Sequence, residues 1–346
     1  MASKTQRHYG IPNFFGFDTI MDKLLTAVLA TSMLLPAADA SAMPPPAPSA
    51  TTRHSVVEAD GVEIFYREAG PKDAPVIVLL HGLPSSSHMY RRLMPLLSDR
   101  YRVIAPDYPG FGASAVPAPA DYEYSFDRIA KTMHGLLRKL EVKSYSLYLF
   151  DYGAPVGLRI AASHPEEIEG LIIQNGNAYE EGMGSLWDPL RAYWKERTPQ
   201  RSQLIADKLL SLSSTKWHYL HGVRDPAAIA PENWLLDQAL LDRPGMQDIQ
   251  LRLLYDYGSN PSHYPAWQAY FRKHQPPALI VWGKNDPIFL TPGAYAYQRD
   301  LPKAQVHLFD TGHFALEEDV EPIAGLIRDF MDAKPRAQGA SAEALR

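Results

Sequence analysis

Cysteine is missing from all 346 residues. That excludes disulfide bridges, thiolate metal sites and a cysteine nucleophile. A basic block is missing as well: 34 lysines and arginines face 39 acidic residues, for a net charge of −5, which gives no support to nucleic-acid binding. No apolar run approaches the roughly 20 residues that a membrane-spanning helix requires. No internal repeat is visible. What is present is the balance of a soluble enzyme, 46% hydrophobic and 21% charged, on a chain long enough to bury a large core.

The first 51 residues stand apart as a leader and linker. Met21-Asp22-Lys23 precedes the 12-residue apolar run Leu24–Leu35, which is followed by Ala38-Asp39-Ala40 and the proline-rich "MPPPAPSA". A short positive region, a brief apolar core and an Ala-x-Ala site read as a secretory signal over Met21–Ala42. The expectation is export to the periplasm or beyond, with no stable membrane insertion once the signal is removed.

Strand-like and helix-like segments then alternate. Val62–Arg67 alternates in polarity, as an edge hairpin would. Pro75–Leu80, Tyr101–Ala105, Tyr145–Phe150, Leu171–Gln174, Ala278–Trp282 and Gln305–Phe309 are apolar runs rich in β-branched residues. Such runs predict strands covered on both faces, hence a mostly parallel sheet. Amphipathic helices are expected at Met89–Leu97, Ser125–Leu140, Val156–His164, Pro292–Asp300 and Val320–Phe330. The resulting fold class is α/β with a doubly wound sheet. Between 178 and 275 no apolar β run occurs, and Trp, Tyr and Leu recur at helical spacing. That segment reads as a helical lid inserted between two parts of the core, 52–177 and 276–334, with a frayed tail at 335–346.

Three chemistry-bearing residues follow strand-like runs. Asp151 ends Tyr145–Phe150, Asp286 follows Ala278–Trp282 in "WGKNDPIF", and His313 follows Gln305–Phe309 in "LFDTGHFALEE". A parallel sheet gathers such strand tips on one rim, so a nucleophile, an acid and a histidine distant in sequence can meet. Alone, Asp151 would also serve as a cap for the helix after it, and Asp286 and His313 as ordinary loop residues. Their shared position and order favour catalysis. "HYLH" at His218–His221 has the wrong spacing to present two metal ligands on one helical face and reads as structural.

Over roughly residues 52–334 the chain resembles the α/β-hydrolase superfamily, in the branch of epoxide hydrolases and haloalkane dehalogenases that uses an aspartate nucleophile. "HGLP" at His81–Pro84 resembles the oxyanion loop, "DYPGFGAS" at Asp107–Ser114 the turn after the next strand, "FDYGAP" the nucleophile elbow and "DTGHFALEE" the histidine loop. The resemblance implies Asp151 as nucleophile, His313 as base, Asp286 as its partner, and the backbone N–H groups of Leu83 and Tyr152 as oxyanion donors. It implies neither cofactor nor metal. It implies a small apolar organic substrate and water as reactants, and it leaves the oligomeric state open.

An aspartate attacking an sp³ carbon yields an ester of the enzyme's own carboxylate, which activated water can cleave; a serine would leave an ether. The expected substrates are therefore epoxides or alkyl halides, and apolar epoxides giving diols come first. Family dehalogenases hold the halide with a tryptophan after the nucleophile and an asparagine after the His-Gly, where this sequence has Tyr152 and Leu83. Epoxide opening needs an acid for the ring oxygen, usually a lid tyrosine; among Tyr193, Tyr219, Tyr255, Tyr257 and Tyr264, the segment "IQLRLLYDYGSN" points to Tyr255 first and Tyr257 second. Carbon–halogen hydrolysis is the alternative. A silent fold used for sensing, and ester or lactone chemistry, are further ones.

Overall fold

The structure, a computed structural model, describes residues 51–333. The leader up to residue 50 and the whole of the tail at 335–346 lie outside the described residues. Eight strands form one sheet in the order β1-β2-β4-β3-β5-β6-β7-β8. The strands are β1 (Arg53–Ala59), β2 (Val62–Ala69), β3 (Val76–Leu80), β4 (Arg102–Pro106), β5 (Tyr145–Phe150), β6 (Ile168–Gln174), β7 (Ala278–Gly283) and β8 (Gln305–Phe309). β1, β2 and β4 pair antiparallel, and every pair from β4 to β8 is parallel. The α/β class and the mostly parallel sheet agree with the expectation. β3, β5 and β7 are buried at every position, which is why their sequences do not alternate.

The core helices are α1 (Leu93–Leu97), α2 (Phe126–Lys139), α3 (Gly153–Ser163), α10 (Thr291–Ala296) and α11 (Val320–Ala333). Two expected helices come out shorter. Met89–Leu97 divides into a 3₁₀ turn at Ser87–Tyr90 and α1, while Pro292–Asp300 divides into α10 and a second turn at Tyr297–Arg299. α3 begins three residues earlier than expected, because Pro155 falls in its first turn, where no intrahelical N–H is lost. Between β6 and β7 lie α4 (Asp188–Lys195), α5 (Pro199–Leu209), α6 (Leu212–Leu220), α7 (Glu232–Leu241), α8 (Met246–Asp256) and α9 (Asn260–His274). Among the described residues no helix is long and apolar enough to cross a membrane.

The sheet order sets the site. From β3 the chain steps to β4 on one side, then returns to β5 on the other, so the loops after β3 and β5 leave the sheet side by side. That is a topological switch point, where open α/β sheets bind ligands. The turn from β5 into α3 lies flat against β3: a Cβ on Gly153 would sit 2.2 Å from the Leu80 carbonyl oxygen. We expect Gly153→Ala to push the turn off β3 and to cost about 1–3 kcal/mol of stability, as overpacking does. Urea unfolding checks this, and a wild-type midpoint would contradict it.

Candidate active site

Asp151 occupies the turn between β5 and α3 with φ +49°, in the left-handed region that non-glycine residues avoid. This backbone lifts its side chain out of the sheet rim. The carboxylate is buried, and its Oδ1 accepts a 2.7 Å hydrogen bond from the Leu83 N–H of the loop after β3. The Tyr152 N–H, at the start of α3, also bonds it. Gly82 permits this approach, since a Cβ there would fall 2.2 Å from Asp151 Oδ1. Burial raises the Asp151 pKa to about 6, against the opposing pull of His313 and the two N–H groups.

His313 follows β8 and is fully buried; its Nδ1 donates to Asp286 Oδ2 at 2.8 Å. Its Nε2 lies 4.0 Å from Asp151 Oδ2 and has no hydrogen-bond partner. Burial pushes the imidazole pKa down, but the charge and hydrogen bond of Asp286, with Asp151 adding, more than offset this and leave it above its ordinary value. Asp286 is held in turn by the Asn175 amide at 2.7 Å and by the Ile288 N–H at 2.8 Å. Asn175 follows β6, and its Oδ1 accepts from the Gly283 N–H, so it clasps two strand ends around the acid. No chemical motif flags Asn175 in the sequence; only its place after a strand could have.

A cavity of about 460 Å³ opens above these residues. Asp151, Leu83, Tyr152, Trp187, Leu190, Ile205, Leu254 and Ile288 line it, together with Trp217, His218 and Tyr257 of the lid. Most of the wall is apolar, with few polar groups, as small-molecule sites require. The expectation for Tyr255 needs correction. Its ring is 39% exposed, packs edge-on against Tyr193 and lies under the Arg197 guanidinium, outside the cavity. Tyr257 is buried, packs tilted against Trp187 with ring centroids 4.9 Å apart and reaches the cavity. Residues two apart where a helix ends point in nearly opposite directions, so only one of the two can face inward. Of the other lid tyrosines, Tyr193 donates to Leu251, Tyr219 to Asp237 and Tyr264 to Met183. His218, read as structural from the sequence, lines the cavity.

The supporting groups explain the quoted motifs. Asp107 of "DYPGFGAS" accepts from the Ser87 and Ala113 N–H groups at 2.7 and 2.8 Å, and His81 of "HGLP" accepts from the Tyr108 N–H at 3.2 Å while stacking on its ring. Buried, His81 has a pKa lowered to about 4 and holds the loop after β3 as a neutral acceptor. At the far end of α3, His134, His164 and Glu167 come together. The two imidazoles lie face to face, 3.8 Å apart and 14° from parallel, and one ligand atom from each of the three residues lies within 4.8 Å of the others. Glu167 is bonded by His134 at 3.0 Å and by the Tyr145 hydroxyl at 2.9 Å.

Residues 75–320 match the family model described as the alpha/beta hydrolase fold. An uncharacterized hydrolase of Saccharomyces cerevisiae is 43% identical over 274 residues, 78% of this chain and 94% of its own length. A cis-3-alkyl-4-alkyloxetan-2-one decarboxylase of Xanthomonas campestris pv. campestris is 30% identical over 305 residues, 80% of this chain and 94% of its own. A haloalkane dehalogenase of Psychrobacter cryohalolentis is 28% identical over 284 residues, 81% and 90%. Among solved structures, the epoxide hydrolase CorEH superposes with a TM-score of 0.67 at 19% identity, covering 82% of this chain and 99% of its own, which establishes the shared fold.

The buried charge on Asp151 predicts a stability trade-off. A folded-state pKa above that of the unfolded carboxyl means that folding penalises the charged form. The penalty is absent below about pH 4, grows as pH rises through about 6 and is complete above that. We expect Asp151→Asn to be more stable than wild type at pH 8, by up to about 3 kcal/mol, and so to unfold at a higher temperature, and to lose that advantage near pH 4. Calorimetry across that range checks the sign.

Proposed function

Because this chain belongs to the alpha/beta hydrolase fold family, we propose that it hydrolyses small apolar epoxides to diols through a covalent ester on Asp151. The observation that carries this reading is a buried carboxylate, in place of a hydroxyl, on a strained turn, with two backbone N–H donors on it and the free Nε2 of His313 4.0 Å away.

In the first step Asp151 attacks an epoxide carbon, the ring C–O bond breaks, and Tyr257 gives its hydroxyl proton to the leaving oxygen. Burial holds the Tyr257 phenol well above its ordinary pKa, so it is a protonated donor at neutral pH. In the second step His313 takes a proton from water as the oxygen bonds to Asp151 Cγ. The tetrahedral oxyanion gathers at the Leu83 and Tyr152 N–H groups, each such donor worth about 3 kcal/mol. Collapse expels the diol oxygen, which takes the proton from His313. The proton left on the regenerated Asp151 acid returns to the Tyr257 phenolate. Asp286 balances the imidazolium throughout.

Leu83 offers a leaving halide no side-chain donor, which favours the epoxide. One feature favours a second reading: the Tyr152 hydroxyl is buried without a partner beside the cavity, where it could bond a departing halide. A panel of terminal epoxides, bromoalkanes and β-lactones, with product analysis, separates these chemistries. Diols are the expected products. Halide release or decarboxylation without diol overturns the epoxide assignment.

Two outcomes test the roles. His313→Ala should stop after the first step and gain the mass of the substrate on Asp151; an unmodified variant that still turns over excludes the covalent route. Tyr257→Phe should slow ester formation by about 100-fold, in the range expected of an acid catalyst, with Tyr255→Phe unchanged. The reverse pattern would move the acid out of the cavity.

A further inference from the structure

His218 is a buried titratable group that the proposed cycle does not use. It lies on α6 of the lid, and its Nδ1 is 2.8 Å from the carbonyl oxygen of Ser214, one helical turn earlier. A carbonyl oxygen can only accept, so Nδ1 carries the hydrogen and Nε2 is a bare lone pair. Burial, with His313 adding, lowers its pKa to about 4 and keeps the ring neutral. With Nδ1 turned back to its own helix, the Nε2 edge is the one left for the cavity, and it has no protein partner among the described residues.

The His218 and His313 rings stand 6.2 Å apart between centroids, at 60° to each other. His313 presents the same atom, Nε2, also without a partner. A water molecule donating to two imidazole nitrogens holds them about 4.5–5 Å apart, a spacing open to rings at this separation whose Nε2 edges face each other. His218 is no acid for the epoxide oxygen, because its one N–H is committed to Ser214.

We infer that His218 positions the attacking water: its Nε2 accepts the hydrogen that is not transferred, while His313 Nε2 takes the other. One O–H bond of the water breaks toward His313, the O–Cγ bond to Asp151 forms, and the second O–H bond stays intact in the tetrahedral intermediate. Two acceptors fix the direction of the oxygen lone pair, and alignment of this kind is a large part of what an enzyme site supplies. The inference rests on the covalent reading above. It assigns His218 to the second step alone, since no water takes part in the first.

The test is single-turnover kinetics of the full chain with 1,2-epoxyhexane, quenched and read by protein mass. His218→Leu should form the ester within about threefold of the wild-type rate and hydrolyse it about 10- to 100-fold more slowly, the loss expected for one well-placed hydrogen bond. Ester should therefore accumulate. His218→Gln, whose side-chain oxygen can accept at the same place, should restore hydrolysis to within about fivefold of wild type, because an acceptor is all the role requires. Wild-type hydrolysis in the leucine variant overturns the inference. So does equal loss of both steps, or a glutamine variant no better than leucine, since either marks a packing role. Failure of the underlying reading is distinguishable: His313→Ala would then gain no mass, whatever the His218 variants do.

Discussion

The structure turns on keeping one carboxylate charged while it is buried. Asp151 is out of bulk water, which leaves its carboxylate poorly solvated and raises its pKa to about 6. What keeps it anionic is local: the Leu83 and Tyr152 N–H groups, the first turn of α3 and the nearby imidazole. They come from three strand ends, those of β3, β5 and β8, and only the switch point between β3 and β5 brings the first two within reach of one side chain. The left-handed backbone at Asp151, Gly82 against its carboxylate and Gly153 against Leu80 follow from that crowding.

The same charges time the histidine. With Asp151 and Asp286 both ionised, His313 faces two negative groups and its pKa stands above the ordinary value. A proton held there would make it a poor base. On the covalent route proposed above, ester formation on Asp151 would remove one of those charges, and the imidazole pKa would fall as the second step begins. On that route the group becomes a better base only after there is an ester to hydrolyse. Asp286 stays charged throughout, braced by Asn175 and the Ile288 N–H, so the imidazole keeps its orientation while its proton affinity changes.

The sheet was legible because burial on both faces writes itself into continuous apolar runs. Tyr145–Phe150 and Ala278–Trp282 needed no tertiary information, and the residues just after each strand were legible with them. The lid was not legible at the level of single side chains. Tyr255 and Tyr257 share a composition and a neighbourhood, and only the rotation of the chain at the end of α8 decides which one enters the cavity. His218 was hidden for a related reason: its spacing to His221 excluded a metal pair, but spacing says nothing about which ring edge a helix carbonyl leaves free. Asn175 shows the same limit, since a lone asparagine after a strand carries no chemical signature until β7 lies next to it.

The lid is also anchored rather than loosely laid over the core. Arg159 of α3 bonds Asn260 and Ser259 at the start of α9, pairs with Asp127 of α2, and lies between the Phe126 and Trp267 rings. Arg243, after α7, donates to the Gly110 and Gly112 carbonyls of the core turn, and Glu317 joins Arg91 of the core to Asn233 of the lid. Arg224, between α6 and α7, holds Asp319 before α11. These ties sit on α7, α9 and the loops beside them. The α4–α5–α6 side, which supplies Trp187, Leu190, Ile205, Trp217 and His218 to the cavity, is tied to the core as well, by Trp187 Nε1 donating to the Ile288 carbonyl at 2.7 Å, and its edge of the cavity mixes half-exposed Leu186 with Asp207, Lys208 and Ser211. Ties on both sides therefore hold Tyr257 and Trp187 beside Asp151, so the largely apolar wall that a ligand meets there is set before the ligand arrives, and no part of the lid has to be ordered at the cost of binding energy.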